Sequence, residues 1–209
     1  MRARALRFAA PYRIDLGEVE VPEPRDGQLL VRAEHSGISA GTEMLAFRGE
    51  LDPGLARDEA LGALAGTFEY PFPYGYAVVG KVEHSRARIP DGAHVFAFHP
   101  HQELFVVDEA DAIELDGGDA RLAALLPLVE TGLQISLDAA PRLGEQVVVL
   151  GLGCVGTLAA ALLARAGARV LGSEPDPARR RAASSFGVDG VIPAKLEARV
   201  REATGGRGA

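Results

Sequence analysis

The segment GLGCVG places Gly151, Gly153 and Gly156 in G-x-G-x-x-G spacing, directly after the apolar run QVVVL and directly before TLAAALLARAG. A short continuous apolar run suits a strand buried on both faces, and the Ala/Leu-rich stretch reads as a helix ending at Gly167. Each glycine has a separate physical task. Gly151 permits the tight turn, Gly153 lets backbone approach a pyrophosphate, and Gly156 lets the helix pack closely on the strand. The helix start adds unpaired N–H groups and the positive end of its dipole.

The pattern continues in register. ARVLGSE reads as a second strand, DPARRRAASSFG as a second helix and VDGVI as a third strand, so strands alternating with helices imply a parallel sheet with right-handed crossovers. Glu174 closes the second strand about 20 residues after the glycine loop, where a carboxylate accepts hydrogen bonds from ribose hydroxyls. A carboxylate there repels a 2′-phosphate, which favours NAD over NADP. Arg179, Arg180 and Arg181 follow and either soften that preference or face solvent on the helix. Gly151, Gly153, Cys154, Val155, Gly156, Glu174 and Arg179 therefore form the candidate cofactor site, with Cys154 read as a small loop residue rather than a nucleophile.

Upstream, from Ala3 to Leu115, LLVRAEHS, YAVVGKVEHS and HVFAFHPHQELFVVD alternate or cluster apolar residues between Pro and Gly, which suggests a small β barrel or sandwich. Ser39–Phe47 and Leu55–Ala65 have helical composition. RLAALLPLVETGLQISLDAA has a helical period and follows the turn-rich LDGGD, which puts a domain boundary near Asp119. The expected division is 1–118 for the β domain and 119–209 for half of a dinucleotide-binding domain.

The net charge of −7 leaves no basic excess to neutralise phosphates, so nucleic-acid and anionic-membrane partners are not expected and a small-molecule substrate is. Lys81 and Lys195 are the only lysines, and Cys154 is the only cysteine. One cysteine allows neither a disulfide framework nor a multi-cysteine zinc site, and it fits a reducing cytoplasm. MRARALRFAAPYRIDL lacks the apolar run of a signal peptide, and no stretch approaches the roughly 18 apolar residues of a membrane span.

A β domain, the linking LLPLVETGLQ, the glycine loop and EPDPARRRAASSFGVD together resemble the medium-chain dehydrogenase/reductase superfamily, the zinc-type alcohol dehydrogenase relatives, across essentially the entire chain. The resemblance implies an α/β protein: a GroES-like substrate domain followed by a doubly wound Rossmann domain, here incomplete. It implies an NAD(P)(H)-dependent oxidoreductase acting on an alcohol, carbonyl or activated alkene, with hydride passing at the cleft between the domains. SGISAGTE matches the segment usually reading Gly-Ile-Cys-Gly-Thr-Asp, and PYGYAVVGKV the usual Pro-Gly-His-Glu segment.

The departures fall on the metal. Ser39 or Ala40, Tyr76, and Leu126 or Pro127 stand where the family's zinc ligands would, and the four-cysteine lobe is absent, so a zinc-free member is expected. Without a metal, carbonyl chemistry needs another proton donor. Tyr76 replaces the imidazole at that place, or is a half-buried strand tyrosine. Thr42 matches the family's relaying hydroxyl, or caps a helix. His99-x-His101 would set two imidazoles on one face of a strand, and His35 joins them either as polar residues of a cleft or, in a third reading, as ligands of a different metal enzyme; Glu43 and Glu130 are further polar candidates.

The chain stops at ATGGRGA with strands 1 to 3 only, which leaves strand 1 as an apolar edge. A truncated or split product of a longer enzyme is expected, with residual cofactor binding and little or no turnover by itself, completed by a second polypeptide or a homo-oligomer. The competing expectation is a dinucleotide-binding protein without chemistry.

Overall fold

The structure is a computed structural model in which residues 1–58 and 61–208 are described. It is an α/β chain made of two compact units, Met1–Leu126 and Pro127–Ala209.

The first unit carries β1 (Arg2–Ala10), β2 (Arg13–Glu20), β3 (Gln28–Ser36), α1 (Thr42–Arg48), β4 (Phe72–Pro73), β5 (Val78–Ser85), β6 (His94–Ala97), β7 (Leu104–Asp108), β8 (Ala112–Glu114) and α2 (Ala120–Ala123). Its strands form two antiparallel sheets, ordered β2-β1-β4 and β7-β3-β5-β6-β8. Period-two alternation sorts β3 between two cores. Leu29 and Val31 pack with Val78, Val95 and Phe105, while Leu30 packs with Ala3, Val21 and Leu104. Pairing of β3 with β5 shifts register between Ala33 and His35, and such a bulge re-aims the residues that follow.

Two readings of this unit need correction. Over 55–65 the structure holds a single 3-10 turn, Gly62–Leu64, and a bridge between Ala56 and Thr67, with Glu59 and Ala60 outside the described residues. Glycine at 62 and 66 weakens helix there, and the Arg57 N–H bonds the Gly66 carbonyl instead of a helical partner. The run from His94 to Asp108 is two strands. Pro100, which has no N–H to give a ladder, lies in the connection between β6 and β7.

The second unit contains α3 (Leu126–Ala139), β9 (Gln146–Leu150), α4 (Cys154–Arg165), β10 (Arg169–Ser173), α5 (Pro177–Ser184), β11 (Asp189–Val191) and α6 (Leu196–Thr204). The helix expected over 121–140 is two, α2 and α3, because Pro127 cannot donate the N–H that would continue one helix and is suited to the first turn of the next. The compact units meet between Leu126 and Pro127, with Ala120, Ala123, Ala124 and Leu126 packed on the core of Ala77, Val79 and Phe96.

The sheet runs β11-β10-β9, wholly parallel, with Val147 opposite Val170 and Leu171 opposite Asp189. Leu152, Ala160, Leu163, Val170, Ala183 and Val188 form its core. Strand β9 is only half-buried, with Leu150 75% exposed, where burial on both faces was expected. Among the described residues it pairs with β10 alone, so its other edge has no strand partner.

Candidate functional site

Strand β9 delivers the chain into the glycine corner. Gly151 adopts φ +90°, a left-handed conformation that disfavours any side chain, and its N–H donates to the Ser173 carbonyl at 2.8 Å. Gly153 is the N-cap of α4 in extended conformation, with no side-chain cap bond. A Cβ on Gly156 would stand 1.9 Å from the Gly151 carbonyl oxygen, so only glycine lets the helix start lie this close to the turn. Around Gly151 and Gly153, by contrast, nothing lies within 4 Å of where a Cβ would be. Backbone there is bare, at the positive end of a helix, as a pyrophosphate requires. Cys154 is the exposed first residue of α4, and Val155 is half-buried behind it.

Glu174 sits at the same corner and is 4% exposed. Its Oε2 accepts from the Leu152 N–H inside the loop at 2.9 Å, and its Oε1 from the Asp176 N–H at 3.0 Å. Those N–H groups, Asp176 before Leu152, hold its carboxyl below the usual range, with the Arg179 charge adding to them. A carboxylate has about four acceptor positions, so two remain for hydroxyls of a ribose.

The three arginines separate in role. Arg180 is spent on the carbonyls of Glu174 and Pro175. Arg179 lies 3.9 Å from Glu174 and from Asp176 with its side chain 58% exposed, a loosely paired cation at the corner. Arg181 is in the last turn of α5, whose N-terminus Asp176 caps through the Ala178 N–H at 2.7 Å.

In the first unit, Thr42 is the exposed first residue of α1. It does not cap that helix, because the N-cap is Gly41, without a side-chain bond. Tyr76 is half-buried just before β5 begins, and its ring meets Tyr74 edge-on at 6.2 Å. Tyr74 is buried, and its phenol is pushed above the ordinary tyrosine range mainly by that burial.

The histidines do not converge. His99 and His101 lie in the connection between β6 and β7 rather than on one strand face. The His99 ring stacks on Phe105 at 4.1 Å, its Nδ1 sits 2.9 Å from the Pro100 carbonyl, and burial pushes its pKa down to about 4. His101 turns to Glu43 and Ser36 instead. His35 is an exposed β3 residue and Glu130 an exposed residue of α3. Ser39, Ala40, Leu126 and Pro127 offer no metal-binding set, and among the described residues no group of three or more His, Cys, Asp or Glu side chains could hold a metal ion. The donor set does not fit catalytic zinc.

The pairing of Glu43 with His101 had no signal in the sequence. The partners are 58 residues apart and meet only once the sheets form.

No known family profile matches the chain. It is 30% identical over 121 residues to 2-desacetyl-2-hydroxyethyl bacteriochlorophyllide A dehydrogenase of Cereibacter sphaeroides, a match covering 58% of this chain and 32% of that protein. It is 26% identical over 249 residues to an uncharacterized zinc-type alcohol dehydrogenase-like protein of Haemophilus influenzae, covering 99% and 67%. Its fold superposes on a probable oxidoreductase of Mycobacterium abscessus with TM-score 0.79 at 25% identity, over 100% of this chain and 68% of that one. The matches thus span about a third to two thirds of these relatives' own length. A GroES-like β unit followed by Rossmann-type parallel strands is the shared architecture, and the similarity is to zinc-type alcohol dehydrogenase-like proteins of the medium-chain dehydrogenase/reductase superfamily.

Proposed function

We propose that this chain serves an NAD(P)(H)-dependent oxidoreductase that moves hydride to or from a small alcohol, carbonyl or activated alkene without catalytic zinc. One observation carries the reading: the Glu174 carboxylate is bonded to the N–H of Leu152 within a bare glycine turn at the start of α4. The dinucleotide, when bound, supplies the hydride acceptor or donor. The chain's own groups divide the remaining work. Gly151, Gly153, Cys154, Val155 and Gly156 offer backbone to the diphosphate, and Glu174 takes the ribose hydroxyls. NAD is favoured because a buried carboxylate repels a 2′-phosphate; Arg179, swinging from its 3.9 Å contacts, is the group that would admit NADP.

Tyr76 and Thr42 are the hydroxyls assigned to hold and pass the proton of the substrate oxygen. Incubating the chain, extended so that the dinucleotide-binding domain is complete, with NADH or NADPH and a panel of small carbonyl compounds, following nicotinamide absorbance, tests the reading. Turnover is expected with NADH ahead of NADPH, falling about a hundredfold in Tyr76→Phe and less in Thr42→Ala. Cofactor binding without turnover across the panel would instead favour a dinucleotide-binding protein without chemistry, the alternative that the substituted metal positions support.

A further inference from the structure

Ser36, His101 and Glu43 form a continuous hydrogen-bonded chain that the hydride chemistry does not use. His101 is 8% and Glu43 2% exposed, whereas Ser36 is exposed at the end of β3, just past the register shift of that strand. His101 Nε2 stands 2.8 Å from Glu43 Oε2, and His101 Nδ1 bonds the Ser36 hydroxyl. Glu43 is itself fixed, its Oε1 accepting the Ser39 N–H at 3.1 Å.

The main chain of His101 is held as well. The His101 carbonyl accepts from the Leu6 N–H at 2.9 Å, and its own N–H donates to the Tyr74 carbonyl at 3.3 Å. Gly75 makes room for the ring, since a Cβ there would come within 2.7 Å of it. With Nε2–H given to Glu43, Nδ1 carries the lone pair and faces the serine O–H. A hydroxyl on a base that a third group orients is the arrangement that activates nucleophiles, whichever fold carries it.

Ser36 and His101 line a pocket of about 260 Å³. That is below the roughly 300 Å³ of sites for drug-sized ligands, so it suits a small acyl group. Arg4 on its wall is paired with Glu103, and Glu34 lines it as well, so no net positive charge draws an anionic acyl group.

We propose that Ser36 is a nucleophile for acyl transfer from small uncharged esters, with His101 as its base and Glu43 as the group that orients the imidazole. Ser36 Oγ bonds to the carbonyl carbon as its proton passes to His101 Nδ1. The ester C–O bond then breaks, and that proton leaves on the departing alcohol. Water, deprotonated by the same nitrogen, hydrolyses the acyl-serine to the free acid and restores the hydroxyl. The assignment is independent of the hydride chemistry and needs no dinucleotide.

A fluorophosphonate probe read by intact mass and peptide mapping tests it, with hydrolysis of p-nitrophenyl acetate as a second readout and circular dichroism to establish that each variant is folded. The expected result is one adduct per chain on the Ser36 peptide, at least about tenfold less in Ser36→Ala, slower by roughly tenfold or more in Glu43→Gln, and unchanged in Ser184→Ala on α5. Because Ser36 is exposed, its alanine variant should retain the fold. Absence of an adduct on the folded chain, an adduct that persists in Ser36→Ala, or labelling of Glu43→Gln at the unsubstituted rate would each overturn the assignment.

Discussion

The two units enclose their sheets to different degrees. In the β unit, Leu29, Val31, Val78 and Val95 are fully enclosed and Phe105 is 1% exposed. In the parallel unit, β9 is half-buried along its length and ends in Leu150 at 75% exposure. Stability of the first therefore rests on side-chain packing across two sheets. The function assigned to the second rests on backbone: a turn, a helix start and one carboxylate. A site made of backbone tolerates an incompletely covered strand, because its geometry is fixed by the local chain and by a few hydrogen bonds rather than by a closed core.

The largest expected effect tests that contrast directly. Phe105→Ala should destabilise the β unit by about 3–5 kcal/mol, whereas Val148→Ala in β9, half-buried to begin with, should cost about 1 kcal/mol in the parallel unit. Chemical denaturation followed by hydrogen exchange, which reads each unit separately, distinguishes them. Equal costs would break the comparison.

A second, somewhat smaller effect sharpens it. Burial keeps the His99 imidazole neutral, its pKa pushed down from the ordinary 6.5 to about 4, with the bond to Pro100 opposing that shift. As pH falls below 6.5 the unfolded chain takes up the proton first, so the stability of the β unit falls between 6.5 and about 4 and levels off beneath. The shift is worth roughly 3 kcal/mol at most. His99→Phe, which keeps the stack on Phe105, should flatten the unit's stability across that pH range, and no change in slope would contradict the burial argument.

The same contrast explains what could be read from the residues alone. The glycine corner was legible because strand, turn, helix and Glu174 succeed one another within one stretch of chain, each with a local chemical reason. For β9 the apolar run suggested burial on both faces, whereas the three-strand count correctly left it as an edge, and it is half-buried. His99-x-His101 was taken for strand spacing, yet Pro100 between them has no N–H for a ladder and the segment is a connection. Ser36, Glu43 and His101 had no pattern to betray them. Their meeting depends on strand pairings and a register shift between segments 58 and 65 residues apart.

Isothermal titration of NADH into the folded chain tests the central claim most directly, run beside Gly156→Val and Glu174→Ala. Saturable one-to-one binding is predicted, weakened about a hundredfold in Gly156→Val, whose side chain would collide with the Gly151 carbonyl, and about tenfold in Glu174→Ala. No saturable binding by the folded chain, or equal affinity in all three proteins, would contradict it.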